Sequence, residues 1–570
     1  MFIGDSSLQK PRPEAVGTPQ AQGWLWLPLA AASVLGLVWL ILAFAEPFSV
    51  QDDVRQHVAW LEALRDPTLF RGDFVAGYFI NSNTPVFKAL YAVPALLGIS
   101  PLLMAKLYPV AITLLTAWLA YRFILTTGIG ALAAALGALL FVQGIWASDD
   151  IASATARAFS WPMLLAVLVA WREKRPMLGA LLGFALSLTY PTAAVFAGGF
   201  IGLAHLADLR GGRKSWAALR RLWIGPAIVV AGLFVGALAA LVMGAGEGIV
   251  SADEARGMAE FQDGGRTAYF VANPVTFWLL AKRSGVVPEP VLRDILLIIA
   301  ALLALLRWRQ LPEPLRRLCL ASALAGVILW AAAHVVLFKL YLPGRYSLIG
   351  LRVALGLLAG AGLAAWMPKL GRGGRSVLFA ALIGLPLLAL LVPPRALGLI
   401  GVAEAPAVVE AVRAAPKDTL VAGFAPDLDN IPALAQRRVL TAREYHLPYG
   451  REYVREMRER LGDTASAVFA GGPEGVRRLV ARYGITHLLI DRREVTPTGA
   501  RQSWWWPILA QEKRLPDCGE EACRVWALTQ RRCVVAEEAG EVLLSAACLL
   551  RPPGAGAPRQ DAGGPRPAAG

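Results

Sequence analysis

Charge is what this sequence is shortest of. Asp, Glu, Lys and Arg make up 17% of its residues, against about a quarter in an ordinary soluble domain. Inside its long apolar stretches the shortage is nearly complete. No Asp or Glu stands in the middle of one, and their interiors hold few ionisable groups: His205, His334 and, near segment ends, Lys106 and Arg352. An ion-coupled transporter carries ionisable groups at mid-membrane depth, so that class lacks its parts here. An internal repeat of the transporter kind is also missing. The net charge of +15 comes without a basic and aromatic stripe, which excludes nucleic acid as a partner. Cysteine is rare, at five residues. Cys319 lies in an apolar segment and is expected to be inert. The other four crowd into the last sixth of the chain.

What is present is apolar. Hydrophobic residues make up 56% and the mean hydropathy is +0.52, the composition of a polytopic α-helical membrane protein whose first partner is the lipid bilayer. Judged by the need for about 20 apolar residues, fewer inside a bundle, segments at 24–46, 101–123, 129–147, 158–172, 177–190, 192–207, 222–245, 293–308, 318–340, 347–366 and 376–396 are expected to span. That is about 11 transmembrane helices by the same criterion. Residues 1–23 read as a disordered cytoplasmic tail, and 24–46 as an uncleaved signal anchor.

The charges fall on alternate sides of these segments. Arg122; Arg172, Lys174 and Arg175; Arg210, Arg213, Lys214, Arg220 and Arg221; Arg307, Arg309, Arg316 and Arg317; and Lys369, Arg372 and Arg375 occupy every second loop. Lys and Arg gather on the cytoplasmic side, so the N-terminus is expected inside and the intervening loops outside. An odd number of spans then places 397–551 outside. Its mixed composition, with Asp418 to Gly423, Gly475 to Tyr483 and Ile485 to Asp491 as strand, helix and strand, predicts a soluble α/β domain. Cys518, Cys523, Cys533 and Cys548 lie in it as disulfide candidates, with three pairings open. Disulfides are preferred to zinc because no His is near, and oxidation agrees with the outer side. Trp504-Trp505-Trp506 reads as an interfacial aromatic belt before a sugar-stacking platform. Residues 552–570 read as a disordered tail. The Ala, Arg and Pro content suits a GC-rich bacterial genome, so the outside is taken as periplasm and the membrane as the bacterial inner membrane.

The outer loops carry the chemistry. In the first, surface helices are expected over 49–100. Ser49 should cap a helix whose Val54, Val58, Leu61 and Leu64 form one apolar face lying on the bilayer. Its first turn bears Asp52 and Asp53, with Arg55 and His57 next and Tyr78 further on. The second outer loop bears Asp149, Asp150 and Arg157, the long loop at 246–292 bears Arg266 and Tyr269, and K-L-Y-L-P-G-R-Y bears Lys339, Arg345 and Tyr346. Outer arginines run against the positive-inside bias, so each needs a ligand or an acid partner. A guanidinium fork fits phosphate oxygens; pairing of Arg157 with Asp149 or Asp150 is the alternative. Carboxylates beside arginines at a membrane surface suit glycosyl transfer from a polyprenyl phosphate. An Asp takes the proton of the attacking hydroxyl, Arg receives the departing phosphate's charge, and a single displacement inverts the anomeric centre.

With its Asp52-Asp53 pair directly after the first span, surface helices, about eleven spans and outer α/β domain, the chain resembles the GT-C superfamily of integral membrane glycosyltransferases. That group includes the protein O-mannosyltransferases and lipid A aminoarabinose transferases. The likeness covers roughly Trp24 to Arg395. Segments at 154–162, 264–270 and 342–346 also look like outer-loop motifs of uncharacterised bacterial members. The resemblance implies a polyprenyl-phosphate-linked sugar donor, a glycan, lipid or protein acceptor, and a first-loop Asp, here Asp52 or Asp53, as catalytic base. Members differ in metal use, which makes Asp149 and Asp150 candidate ligands for Mg²⁺ or Mn²⁺. A transporter or flippase, and a glycan-assembly scaffold without chemistry, are the competing readings.

Overall fold

The computed structural model describes residues 19–209, 216–243, 248–393, 397–516, 518 and 523–551. The expected tails lie outside these residues, except that 19–23 begin a short helix, Pro19–Trp24, where disorder was expected. Arg210, Arg213 and Lys214 also lie outside them.

Each segment expected to span is largely helical over its described residues, because an apolar stretch in lipid must satisfy its backbone internally. The first is α1 (Trp26–Ala45). A strand, β1 (Ser49–Gln51), follows, then α2 (Asp52–His57), α3 (Phe74–Ser82) and α4 (Pro85–Leu96). The remaining apolar helices are α5 (Pro101–Leu125), α6 (Ala131–Trp146), α7 (Ala156–Arg172), α8 (Pro176–Ser187), α9 (Pro191–Leu209), α10 (Trp216–Met243), α11 (Ile295–Leu305), α12 (Glu313–Val335), α13 (Pro343–Ala364) and α14 (Arg372–Gly384). Among the described residues, 5 helical stretches are by themselves long and apolar enough to cross a membrane. α13 packs against α6, α11 and α12. Glycine permits the approach: a Cβ on Gly360 would collide with the Ala133 carbonyl, and one on Gly362 with that of Ala300. Small residues draw membrane helices together in this way.

The first outer loop departs from expectation. Ser49 does not cap the helix. It opens β1, which pairs antiparallel with β2 (Ile400–Val402), Ser49 opposite Val402 and Gln51 opposite Ile400. The cap is Gln51, whose side chain accepts from Val54 N at 3.1 Å. α2 lasts six residues before the chain tightens into a 3-10 turn at Ala59–Leu64. Val54, Val58 and Leu61 pack into the protein core instead of lying on the bilayer, and Leu64 is exposed. Pro85 starts α4, since proline's missing N–H is harmless in a first turn.

The C-terminal part contains α15 (Pro406–Ala414), β3 (Leu420–Phe424), β4 (Arg438–Val439), α16 (Arg451–Ala465), α17 (Gly472–Tyr483), β5 (His487–Asp491), β6 (Val534–Glu538) and β7 (Glu541–Ser545). Its sheet runs β4-β3-β5-β7-β6, parallel in the first three strands and antiparallel in the last two. The disulfides join Cys518 to Cys523 and Cys533 to Cys548, one of the three open pairings. Trp505 is fully buried against Phe424 and Phe469, and Trp504 and Trp506 pack on the same core. This part of the triplet stabilises the α/β unit, which corrects the aromatic-belt reading.

Candidate active site

A cavity of about 340 Å³ opens between the first outer loop, the ends of the helical bundle and the C-terminal segment. Asp52, Asp53 and His57 reach it from α2, and Tyr78 from α3, where it stacks on Tyr453 with ring centroids 3.6 Å apart. Asp149 and Arg157 come from the second loop and the start of α7. Arg266, Lys282 and Arg283 come from the long loop, Arg345 from the first turn of α13, and Tyr190 and Tyr341 from neighbouring turns.

Arg157 is the electrostatic centre. Its Nη2 lies 2.6 Å from Asp53 Oδ2 and 3.2 Å from Asp149 Oδ2. Its Nε is 3.0 Å from Asp150 Oδ1, within ion-pair reach but out of line for a hydrogen bond. Asp150 lies one layer deeper, buried. Its second oxygen takes Arg352 Nη1 at 2.6 Å, and Arg352 Nε binds Asp294 Oδ2 at 3.0 Å. Arg352, expected near a span end, is wholly buried. Burial pushes the carboxyls of Asp149 and Asp150 up. For Asp149 the charges of Arg157, Lys282 and Arg345 outweigh it, and for Asp150 those of Arg157 and Arg352, so both are held below the ordinary range.

A second knot lies under Asp52. Arg55 is bound by Asp52, by Glu444 at 3.2 Å and by Asn430 at 3.1 Å. Arg266 meets the other oxygen of Glu444 at 2.6 Å. Burial pushes Glu444 up to about 7 against the pull of Arg266 and Arg55, with Asp52 and Asp429 adding to the rise. His57 donates from Nδ1 to Asn83 Oδ1 at 3.2 Å, and burial lowers its pKa, leaving it neutral at pH 7.

Three cations are less fully matched. Among the described residues Arg283 makes no salt bridge and donates to the carbonyls of Ala268 and Arg266, and Arg345 has one acid in reach, Asp150 at 3.9 Å. Among the described residues Lys282 makes no salt bridge, and burial lowers its pKa.

The structure therefore gathers Asp52, Asp53, His57, Tyr78, Asp149, Arg157, Arg266 and Arg345 at one cavity, with Arg55 beneath them. It leaves three expected residues elsewhere. Tyr269 is buried with its hydroxyl 2.8 Å from His334 Nδ1, Tyr346 is in the core, and Lys339 is exposed away from the cavity. Lys282, Tyr190 and Glu444 were not anticipated. Lys282 and Arg283 are an outer basic pair, and the positive-inside argument applied to the other outer arginines would have found them. Asp149 and Asp150 do not fit a metal. Guanidinium groups already face them, and among the described residues no three His, Cys, Asp or Glu side chains converge on a point where an ion could sit.

No protein-family model matches the chain, and no curated protein matches it. Solved structures with similar backbones exist. An Archaeoglobus fulgidus oligosaccharyltransferase, in complex with Zn and sulfate, is 12% identical with a TM-score of 0.39, covering 85% of this chain and 70% of its own. The oligosaccharyltransferase AglB from the same organism, with an inhibitory peptide and a dolichol-phosphate, is 12% identical at TM-score 0.47, covering 87% and 73%. The mycobacterial arabinofuranosyltransferase AftD is 16% identical at 0.44, covering 82% of this chain and 35% of its own. These neighbours are sugar transferases by name.

Proposed function

We propose that this chain is an integral membrane glycosyltransferase that moves a sugar from a polyprenyl-phosphate donor to an acceptor hydroxyl, inverting the anomeric centre. The observation that carries the reading is one cavity holding a carboxylate oxygen without a partner among the described residues, Asp53 Oδ1, and three under-matched cations, Lys282, Arg283 and Arg345. The acceptor oxygen attacks the anomeric carbon while its proton passes to Asp53. The bond from that carbon to the phosphate oxygen breaks, and the electron pair leaves with the polyprenyl phosphate. Lys282 and Arg345 receive the new negative charge. Arg157 holds Asp53 in orientation through Oδ2, and Asp52 stays tied to Arg55. In the cell, the cavity and the α/β domain face the periplasm of a bacterial inner membrane, with the N-terminus in the cytoplasm and eleven helices crossing.

Asp53→Asn tests this. Nanodisc-held protein is offered a panel of radiolabelled polyprenyl-phosphate sugars, and transfer or hydrolysis is followed. Loss of a general base costs about 10²-fold or more, so the variant should fall by that much while its melting temperature stays close to wild type. Undiminished transfer would refute Asp53 as the base. The transport reading has one observation in its favour, the buried cluster Asp150–Arg352–Asp294. Gradient-driven uptake of a lipid-linked sugar into vesicles, lost in Arg352→Gln, would support it over transfer.

A further inference from the structure

We propose that a second cavity, behind α2, binds an anionic phospholipid. It has a volume of about 510 Å³ and is lined by Gln51 and Val54, whereas Asp52, Asp53 and His57 line the catalytic cavity. α2 is thus the partition between the two. One wall is apolar: Trp39 and Ala43 near the end of α1, and Leu102 and Ala105 at the start of α5. These two helices are among those able to span the membrane, so the wall stands at the depth where acyl chains meet headgroups.

The cavity's cations are Lys106, beside Ala105 on α5, and Arg413, Lys417 and Arg437 from the C-terminal part. Lys417 pairs with Asp66, and Arg413 with Glu410. Lys106 and Arg437 form no salt bridge among the described residues. Lys106 donates to the Ala43 carbonyl at 2.7 Å, and its ammonium lies 4.8 Å from the centre of the Phe44 ring. Arg437 donates to the carbonyls of Arg413, Ala415, Ala435 and Gln436, with Asp418 acting on it only from a distance. Carbonyl contacts fix both groups in place but do not neutralise them.

Gln51 supplies an independent observation. It is 5% exposed, and its Oε1 caps α2. Among the described residues its buried Nε2 has no hydrogen-bond partner. Such a donor carries a free-energy cost that an arriving oxygen would relieve. A phosphate ester with hydrocarbon attached matches all three features, oxygens for Gln51 and the cations and chains for the Trp39–Leu102 wall. The bound lipid would brace the helix that carries the carboxylates from behind. This site does not depend on the reaction proposed above.

The test uses the full-length chain in phosphatidylcholine nanodiscs doped with phosphatidylglycerol bearing a photoreactive group on its acyl chain. Crosslinks should concentrate on residues 39–43 and 102–106. They should fall by about tenfold or more in the Lys106→Glu, Lys417→Glu double variant, with melting temperature as the fold control. Lys106→Gln serves in its place if the double variant unfolds. Inorganic phosphate should not compete. Crosslinks spread evenly over all spans, labelling unchanged in a folded variant, or displacement by inorganic phosphate would each overturn the proposal.

Discussion

Arg157 and Arg345 enter the cleft with the same side chain and different duties. Arg157 faces three carboxylates, Asp53, Asp149 and Asp150, with little exposure to water. Removing one partner of a buried ion pair costs about 3–5 kcal/mol, so Arg157→Ala should lower the melting temperature as well as activity. Arg345 has one acid, at 3.9 Å. Arg345→Ala should melt near wild type yet raise KM for the lipid donor by about tenfold, the effect of losing one charged hydrogen bond. Equal loss of stability in both would show that Arg345 is structural. Most of these groups were legible because a polar residue stands out in a chain so poor in charge. Glu444 was not, since its segment has ordinary soluble composition and its partners Arg55 and Arg266 are far away in sequence. Tyr346 misled for a simple reason. It follows Arg345 in a helix, where adjacent side chains point to different faces, so Arg345 reaches the cavity and Tyr346 the core.

Among the elements, the apolar helices were the most readable, because length and hydropathy alone decide them. α2 was not, because what precedes it is a strand made by pairing with residues 400–402, and no local pattern announces a partner so distant. The α/β sheet offers a test of its own. Glu541 in β7 is fully buried near Asp427 and Asp491, and burial, with those acids adding to it, pushes its pKa from 4.5 to about 9. A carboxyl raised on folding favours the folded state while both states hold the proton. That contribution is lost as pH climbs from about 4.5 to about 9, where the unfolded chain ionises first. Glu541→Gln should therefore stabilise the protein at pH 8 and flatten the decline of melting temperature across that window. An unchanged decline would show that Glu541 is ionised in the native protein.

For the whole molecule, four loops read as outer from charge alone do meet at one end. Asp53 binds Arg157, Arg345 approaches Asp150, Arg266 binds Glu444, and β1 pairs with β2. At the other end Arg122 binds Glu173, joining two loops read as inner. Lys174 and Lys417 are both exposed, on opposite sides in this reading. In cells with a permeabilised outer membrane, an impermeant maleimide should label Lys417→Cys and spare Lys174→Cys; the reverse pattern would invert the topology. Nothing tests the account more directly than a cryo-EM structure of the chain with a polyprenyl phosphate. The account predicts its phosphate within hydrogen-bond distance of Lys282 and Arg345, with the sugar side turned to Asp53. A phosphate bound away from both cations, or on the side of the bundle opposite Asp53, would contradict it.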